Sequence, residues 1–124
     1  MPATKVFFFQ ELDGRSSVLD WLMELRRTDA RAFAKCAAAI DRLRELGYEL
    51  RRPTADFLRD GIYELRARRG HVNYRLLYFF HGRGIAVLAH TLTKEAVISE
   101  SDFARALNRK RAFEEDPESH TYRE

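Results

Sequence analysis

Between Ile62 and Leu92, three runs rich in β-branched and aromatic residues are interrupted only by Gly70-His71 and Gly82-Arg83, and this stretch limits the fold more than any other. Connections this short join antiparallel neighbours, because a parallel pair needs a long crossover. The strands are predicted as Ile62 to Arg69, Val72 to Phe80 and Gly84 to Leu92, with turn length setting their register. A two-residue turn at Gly70-His71 pairs Arg69 with Val72 and, counting back, Arg66 with Arg75. A two-residue turn at Gly82-Arg83 pairs His81 with Gly84 and places His90 opposite Arg75 on its other side. Arg66, Arg75 and His90 are therefore expected in one row across the sheet.

Side chains alternate along a strand, so this register sorts the residues into two faces. One face collects Tyr63, Leu65, Ala67, Tyr74, Leu76, Tyr78, Ile85, Val87 and Ala89, a surface apolar enough to receive helices. The other collects Glu64, Arg66, Arg68, Asn73, Arg75, Leu77, Leu88 and His90, with Lys94 just beyond the strand end. Like charges placed directly opposite one another cost about 0.2–1 kcal/mol, so the Arg66–Arg75 pair is not there for stability. Two readings are open: a phosphate gripped by two guanidinium groups, or neutralisation by Glu64 with both arginines solvated.

The rest of the chain supplies the partners for this sheet. Thr4 to Phe9 reads as a strand. A helix capped by Ser16 or Ser17 sets Val18, Trp21, Leu22 and Leu25 on one side, and a second, after Thr28 and Asp29, aligns Phe33, Cys36, Ala37, Ile40 and Leu43 before Gly47 ends it. A last helix is predicted from Glu100 to Phe113, stopping before Asp116-Pro117. The expectation is a single α+β domain over 1–124: a strand, two helices, a three-strand antiparallel meander and a C-terminal helix. Helices pack on one face of a small twisted sheet, and 114–124 forms a flexible polar tail.

Composition narrows the function classes. With 45% hydrophobic and 33% charged residues the chain belongs with ordered proteins, and its apolar run at Val6 to Phe9 is too short for a signal peptide or a membrane span. One cysteine, Cys36, on a helical stripe excludes an internal disulfide and argues against a nucleophilic thiol; the cytoplasm is the expected compartment. His71, His81, His90 and His120 are scattered, with no zinc-type spacing and no Gly-rich phosphate loop, so neither a metal nor a cofactor is expected.

Leu58, the run Asp60-Gly61-Ile62-Tyr63-Glu64-Leu65-Arg66, the run Tyr74-Arg75-Leu76-Leu77-Tyr78-Phe79-Phe80, and then His90, Leu92 and Lys94 together resemble the HigB-like, phage-derived branch of the RelE/ParE toxin superfamily. Ala106, the basic last helix and the ending through His120-Thr121-Tyr122 resemble it too. The resemblance implies a RelE-like fold and a type II toxin–antitoxin toxin that cleaves messenger RNA on the ribosome. It also implies a cognate helix-turn-helix, HigA-like antitoxin, with operator DNA bound only through the antitoxin complex. The chain departs from the family at Lys94-Glu95, where many members carry two lysines, and at Ile98-Ser99 in place of Thr-Pro.

Such chemistry is attack of a ribose 2′-hydroxyl on the adjacent phosphate, which cations can promote without a metal. Arg66 and Arg75 are the candidates for stabilising the phosphorane-like charge, His90 for moving a proton, and Lys94 for contacting the phosphate or acting as a perturbed base. Arg68, Asn73, Arg52 and Lys110 are the candidate nucleic-acid contacts, with His120 and Tyr122 added if the tail folds back. The competing readings are a ParE-like inhibitor of DNA gyrase, and a degenerate, non-catalytic toxin that serves as an antitoxin-binding regulator, for which Glu95 is the main argument.

Overall fold

The computed structural model describes residues 3–93 and 97–122. Strand β1 (Lys5–Phe8) leads into helices α1 (Ser17–Thr28) and α2 (Ala30–Leu46) and a 3₁₀ turn at Gly47–Glu49; then come β2 (Ala55–Arg59), β3 (Ile62–Arg69), β4 (Val72–His81), β5 (Ile85–Thr93) and α3 (Glu100–Glu115). The α+β class and the order of elements agree with the sequence reading. The sheet has five strands in the order β1-β5-β4-β3-β2, with β1 parallel to β5 and the remaining pairs antiparallel. The additional strand, β2, is a short, charged edge strand that propensity alone does not mark.

Local chemistry starts and stops the helices as the sequence suggests. Ser16 Oγ accepts the Leu19 amide at 3.3 Å to open α1. Asp29 serves two helices, its backbone N–H reaching Leu25 O at 2.7 Å to close α1 and its carboxylate accepting from Ala32 N at 3.1 Å to open α2. Gly47, at φ +53°, closes α2.

Both faces of the sheet carry a core. On one, Val18, Leu22, Cys36, Ile40 and Leu43 of α1 and α2 pack onto Leu65, Leu76, Tyr78 and Leu88. On the other, Phe103, Ala106 and Phe113 of α3 pack onto Ile62, Leu77, Phe79 and Val87. The expectation that helices occupy one face holds for α1 and α2; α3 takes the opposite face, which the sequence reading left open. Cys36 lies fully buried, and burial pushes its thiol up to about 12, away from nucleophilic use.

The first hairpin has the predicted register, with Arg69 opposite Val72 and Arg66 opposite Arg75 across a Gly70-His71 turn. The second differs. His81 pairs with Ile85, so Gly82-Arg83-Gly84 is a three-residue turn, with Gly82 at φ +65° and the Gly84 carbonyl accepting from Lys5 N at 2.8 Å. One extra turn residue inverts the faces of 85–88 relative to the prediction. Ile85 and Val87 point to the α3 side, Leu88 to the α1–α2 side. A β-bulge then follows, with Tyr78 opposite Leu88 but Leu77 opposite His90. Ala89 is the extra residue and, like His90, falls on the α3 side.

The ending of the chain is also corrected. α3 runs to Glu115, and residues 116–122 turn back along the outer edge of β1 instead of forming a free tail. Gln10 N donates to His120 O and Tyr122 N to Phe8 O, both at 2.9 Å, while the His120 ring stacks on Phe9 at 4.8 Å. Among the described residues no helix is long and apolar enough to cross a membrane.

Candidate functional site

α3 lies over the Ile62–Phe79–Val87 end of its face, and among the described residues it does not extend over the other end of β3 and β4. That other end presents Arg66 opposite Arg75 and Arg68 opposite Asn73. The repulsion implied by the first pair is answered from the same face. Glu64, almost fully buried, contacts Arg66 Nη2 through Oε2 at 3.1 Å and Arg75 Nε through Oε1 at 3.0 Å. Asp56 of β2 stands opposite Glu64, a like-charge pair, and Arg66 Nη2 also reaches Asp56 Oδ2, at 3.4 Å. Arg52 Nη2 holds the same oxygen at 2.9 Å. The result is a chain of alternating sign, Arg52–Asp56–Arg66–Glu64–Arg75, that fixes three guanidinium groups in place.

The hydrogen bond from Arg66 to Glu64 raises the Arg66 pKa further, and the bond from Arg52 lowers that of Asp56. Both groups are therefore locked in their charged forms. Neutralisation by Glu64, one of the two readings open from sequence, is what the structure contains. It leaves Arg66 in solvent, with its side chain 39% exposed, while Arg75 is largely covered at 15%. A carboxylate beneath and solvent above suits preorganised oxyanion binding.

His90 does not stand in the arginine row. The longer turn and the bulge place Leu92 opposite Arg75 and His90 opposite Leu77, one pair along. His90 is thus a diagonal neighbour of Arg75 on the same face, about 7–8 Å away between Cα atoms. Its Nε2 lies 2.8 Å from Asp102 Oδ1 in the first turn of α3, and Ser99 Oγ donates to Asp102 Oδ2 at 2.6 Å. Burial lowers the His90 pKa and outweighs the opposing pull of Asp102. The ring is neutral at pH 7; Asp102 accepts from Nε2–H, which leaves Nδ1 as the ring's acceptor.

The remaining candidates scatter. Arg68 Nε donates to Gly70 O at 2.8 Å beside the open end. Arg52 joins the site through Asp56. Lys110 lies elsewhere, its stem against Gly61 in the turn just before β3 and its ammonium 3.0 Å from Glu114. His120 and Tyr122 dock on β1, and β5 separates them from β4. Lys94 lies outside the described residues. Glu64 was the neutralising partner that the sequence offered, whereas Asp56 and Asp102 were not singled out by sequence reasoning as site-forming groups. The Ser99-x-x-Asp102 spacing is legible as a helix start, but nothing local links it to His90. Among the described residues no group of three or more His, Cys, Asp or Glu side chains is arranged to hold a metal ion.

The fold and this site define a small α+β protein with a preorganised cationic patch on a half-open sheet face. A family model described as phage derived protein Gp49-like (DUF891) matches residues 23–111, more than two thirds of the chain, and the protein belongs to that family. The matched segment contains the arginine–carboxylate chain, His90 and Asp102. No curated protein matches the chain.

Proposed function

We propose that this protein is a HigB-like toxin of the RelE/ParE superfamily, one half of a type II toxin–antitoxin pair, and that it cleaves messenger RNA on the ribosome without a metal ion. The observation that carries this reading is the rigid pairing of Arg66 and Arg75 on the open sheet end, with neutral His90 diagonal to Arg75. In the reaction the 2′-oxygen bonds to phosphorus as the bond to the 5′-oxygen breaks. His90 Nδ1 takes the 2′ proton, the guanidinium groups stabilise the charge on the phosphorane oxygens, and the 5′-oxygen takes a proton from Lys94 or water. Family membership supports a toxin-like role, for which a cytoplasmic setting and a helix-turn-helix, HigA-like antitoxin are the expected context.

The decisive experiment incubates purified protein with ribosomes translating a defined message and, in parallel, with DNA gyrase. Cleavage of the message with gyrase unaffected is the expected result. Arg66→Ala should lower the cleavage rate by roughly 10²–10³, as loss of one oxyanion donor does elsewhere. Gyrase inhibition without cleavage would overturn the nuclease reading in favour of a ParE-like poison, and inactivity in both assays at verified folding would leave a regulator.

A further inference from the structure

Two exposed aromatic side chains, Tyr48 at 47% and Phe57 at 54%, line the same cleft. This cleft, of about 570 Å³, lies between the 3₁₀ turn and β2, over Leu50, Ala55 and Tyr63, with Arg51 and Arg52 at its rim. A single exposed aromatic is ordinary on a protein surface. Two in one cleft beside two guanidinium groups have the composition of a platform for unpaired bases, on which rings stack and cations hold the backbone.

The walls are held firmly. Tyr48 stacks on Phe80 at 3.8 Å between centroids, and its hydroxyl donates to Gly82 O at 3.0 Å. Phe57 meets Tyr63 edge to face at 5.1 Å. Arg51 donates to the carbonyls of Tyr48 and Leu50, which pins it at the end of the 3₁₀ turn. The one carboxylate lining the cleft, Asp56, is matched by Arg52 at 2.9 Å and by Arg66 at 3.4 Å, both on Oδ2. That oxygen is the junction between the cleft and the arginine row, so the two cationic surfaces are continuous around the edge at β2.

We infer that this cleft is a subsite for single-stranded RNA, which seats an unpaired base between Tyr48 and Phe57 and a flanking phosphate on Arg51 and Arg52. The inference rests on the nuclease reading for the identity of the substrate. Charge complementarity decides the occupant: the rim carries more positive than negative charge and runs into a patch already suited to phosphate.

The test measures binding of a short, fluorescein-labelled 2′-O-methyl oligonucleotide, which cannot be cleaved, alongside cleavage of the unmodified message. Phe57→Ala should weaken oligonucleotide binding by roughly 5- to 100-fold, the usual contribution of one stacked ring. Phe57→Trp should restore it, and Arg51→Gln should flatten its salt dependence. Circular dichroism confirms that each variant is folded. If Phe57→Ala binds the oligonucleotide as the native protein does while that protein cleaves RNA, the subsite is wrong and the nuclease reading stands. If binding depends on Phe57 but no RNA is cleaved, the subsite stands and the nuclease reading falls. If Phe57→Ala keeps its RNA binding and instead escapes neutralisation by the antitoxin, the cleft is a protein-docking surface and the inference is overturned.

Discussion

Replacing Glu64 by Gln keeps the size of the side chain and removes the charge that sits between two guanidinium groups. Losing one partner of a fully buried ion pair costs about 3–5 kcal/mol. The site is only partly of that kind: Arg66 is 39% exposed and keeps Asp56, whereas Arg75 is 15% exposed. The loss therefore lies below that range, at about 1.5–3 kcal/mol, shared between the hydrogen bond from Arg66 Nη2 to Glu64 Oε2 and the ion contact with Arg75. The newly unanswered repulsion across the Arg66–Arg75 pair adds about 0.2–1 kcal/mol. A destabilisation of about 2–4 kcal/mol is expected. At roughly 2.1 cal/mol/K of unfolding entropy per residue, a chain of 124 residues should lose about 8–15 °C in Tm. Arg66→Ala should cost about 1 kcal/mol or less, since Glu64 keeps Arg75 and Asp56 keeps Arg52. Calorimetry of the two variants at one pH and salt concentration checks the order. A Glu64→Gln protein that melts at or above the native temperature would refute the view that this carboxylate holds the arginines together.

Three further outcomes are expected. Asp102→Asn removes the groups that raise the His90 pKa, so the acid limb of the cleavage pH profile, set by protonation of His90, should move to lower pH; a limb that stays in place or moves up would separate His90 from the proton transfer. Cleavage of naked RNA, if the protein acts without ribosomes, should persist in excess EDTA, and loss of activity restored by a divalent ion would end the metal-free mechanism. Truncation after Asp116 strips His120 from Phe9 and the hydrogen bonds from the outer edge of β1, and should lower Tm and promote aggregation, read by light scattering of the heated protein.

The Arg66–Arg75 pair was legible because a two-residue turn leaves no freedom in counting. The position of His90 was not, because Gly82-Arg83-Gly84 fits a turn of two or three residues equally well and a bulge has no composition of its own. The opposite-face placement of α3 was hidden for a related reason. With the predicted register, Leu77 and Leu88 looked like two apolar residues on a polar face, whereas Ile62, Leu77, Phe79 and Val87 together form a second core. Helix starts were read well, since Ser16 and Asp29 act through bonds three residues long. Glu64 was legible as a partner of the arginines because it shares their strand and face, but Asp56 was missed because its role depends on which strand lies beside it, and it gains that role only once β2 pairs with β3.

The bulge at Ala89 also bears on how the length of this chain can change. Removing one residue from inside a strand normally exchanges inward and outward side chains from that point on, which is why strands rarely tolerate it. At Ala89 the extra residue has no partner of its own on β4, so its loss would leave Leu88 opposite Tyr78 and His90 opposite Leu77. What would go is local: the carbonyl that Arg109 Nη1 reaches at 2.7 Å, and one small side chain beneath α3. A deletion scan along β5 should find this one position forgiving among intolerant neighbours, and shortening there would keep His90 on the arginine face.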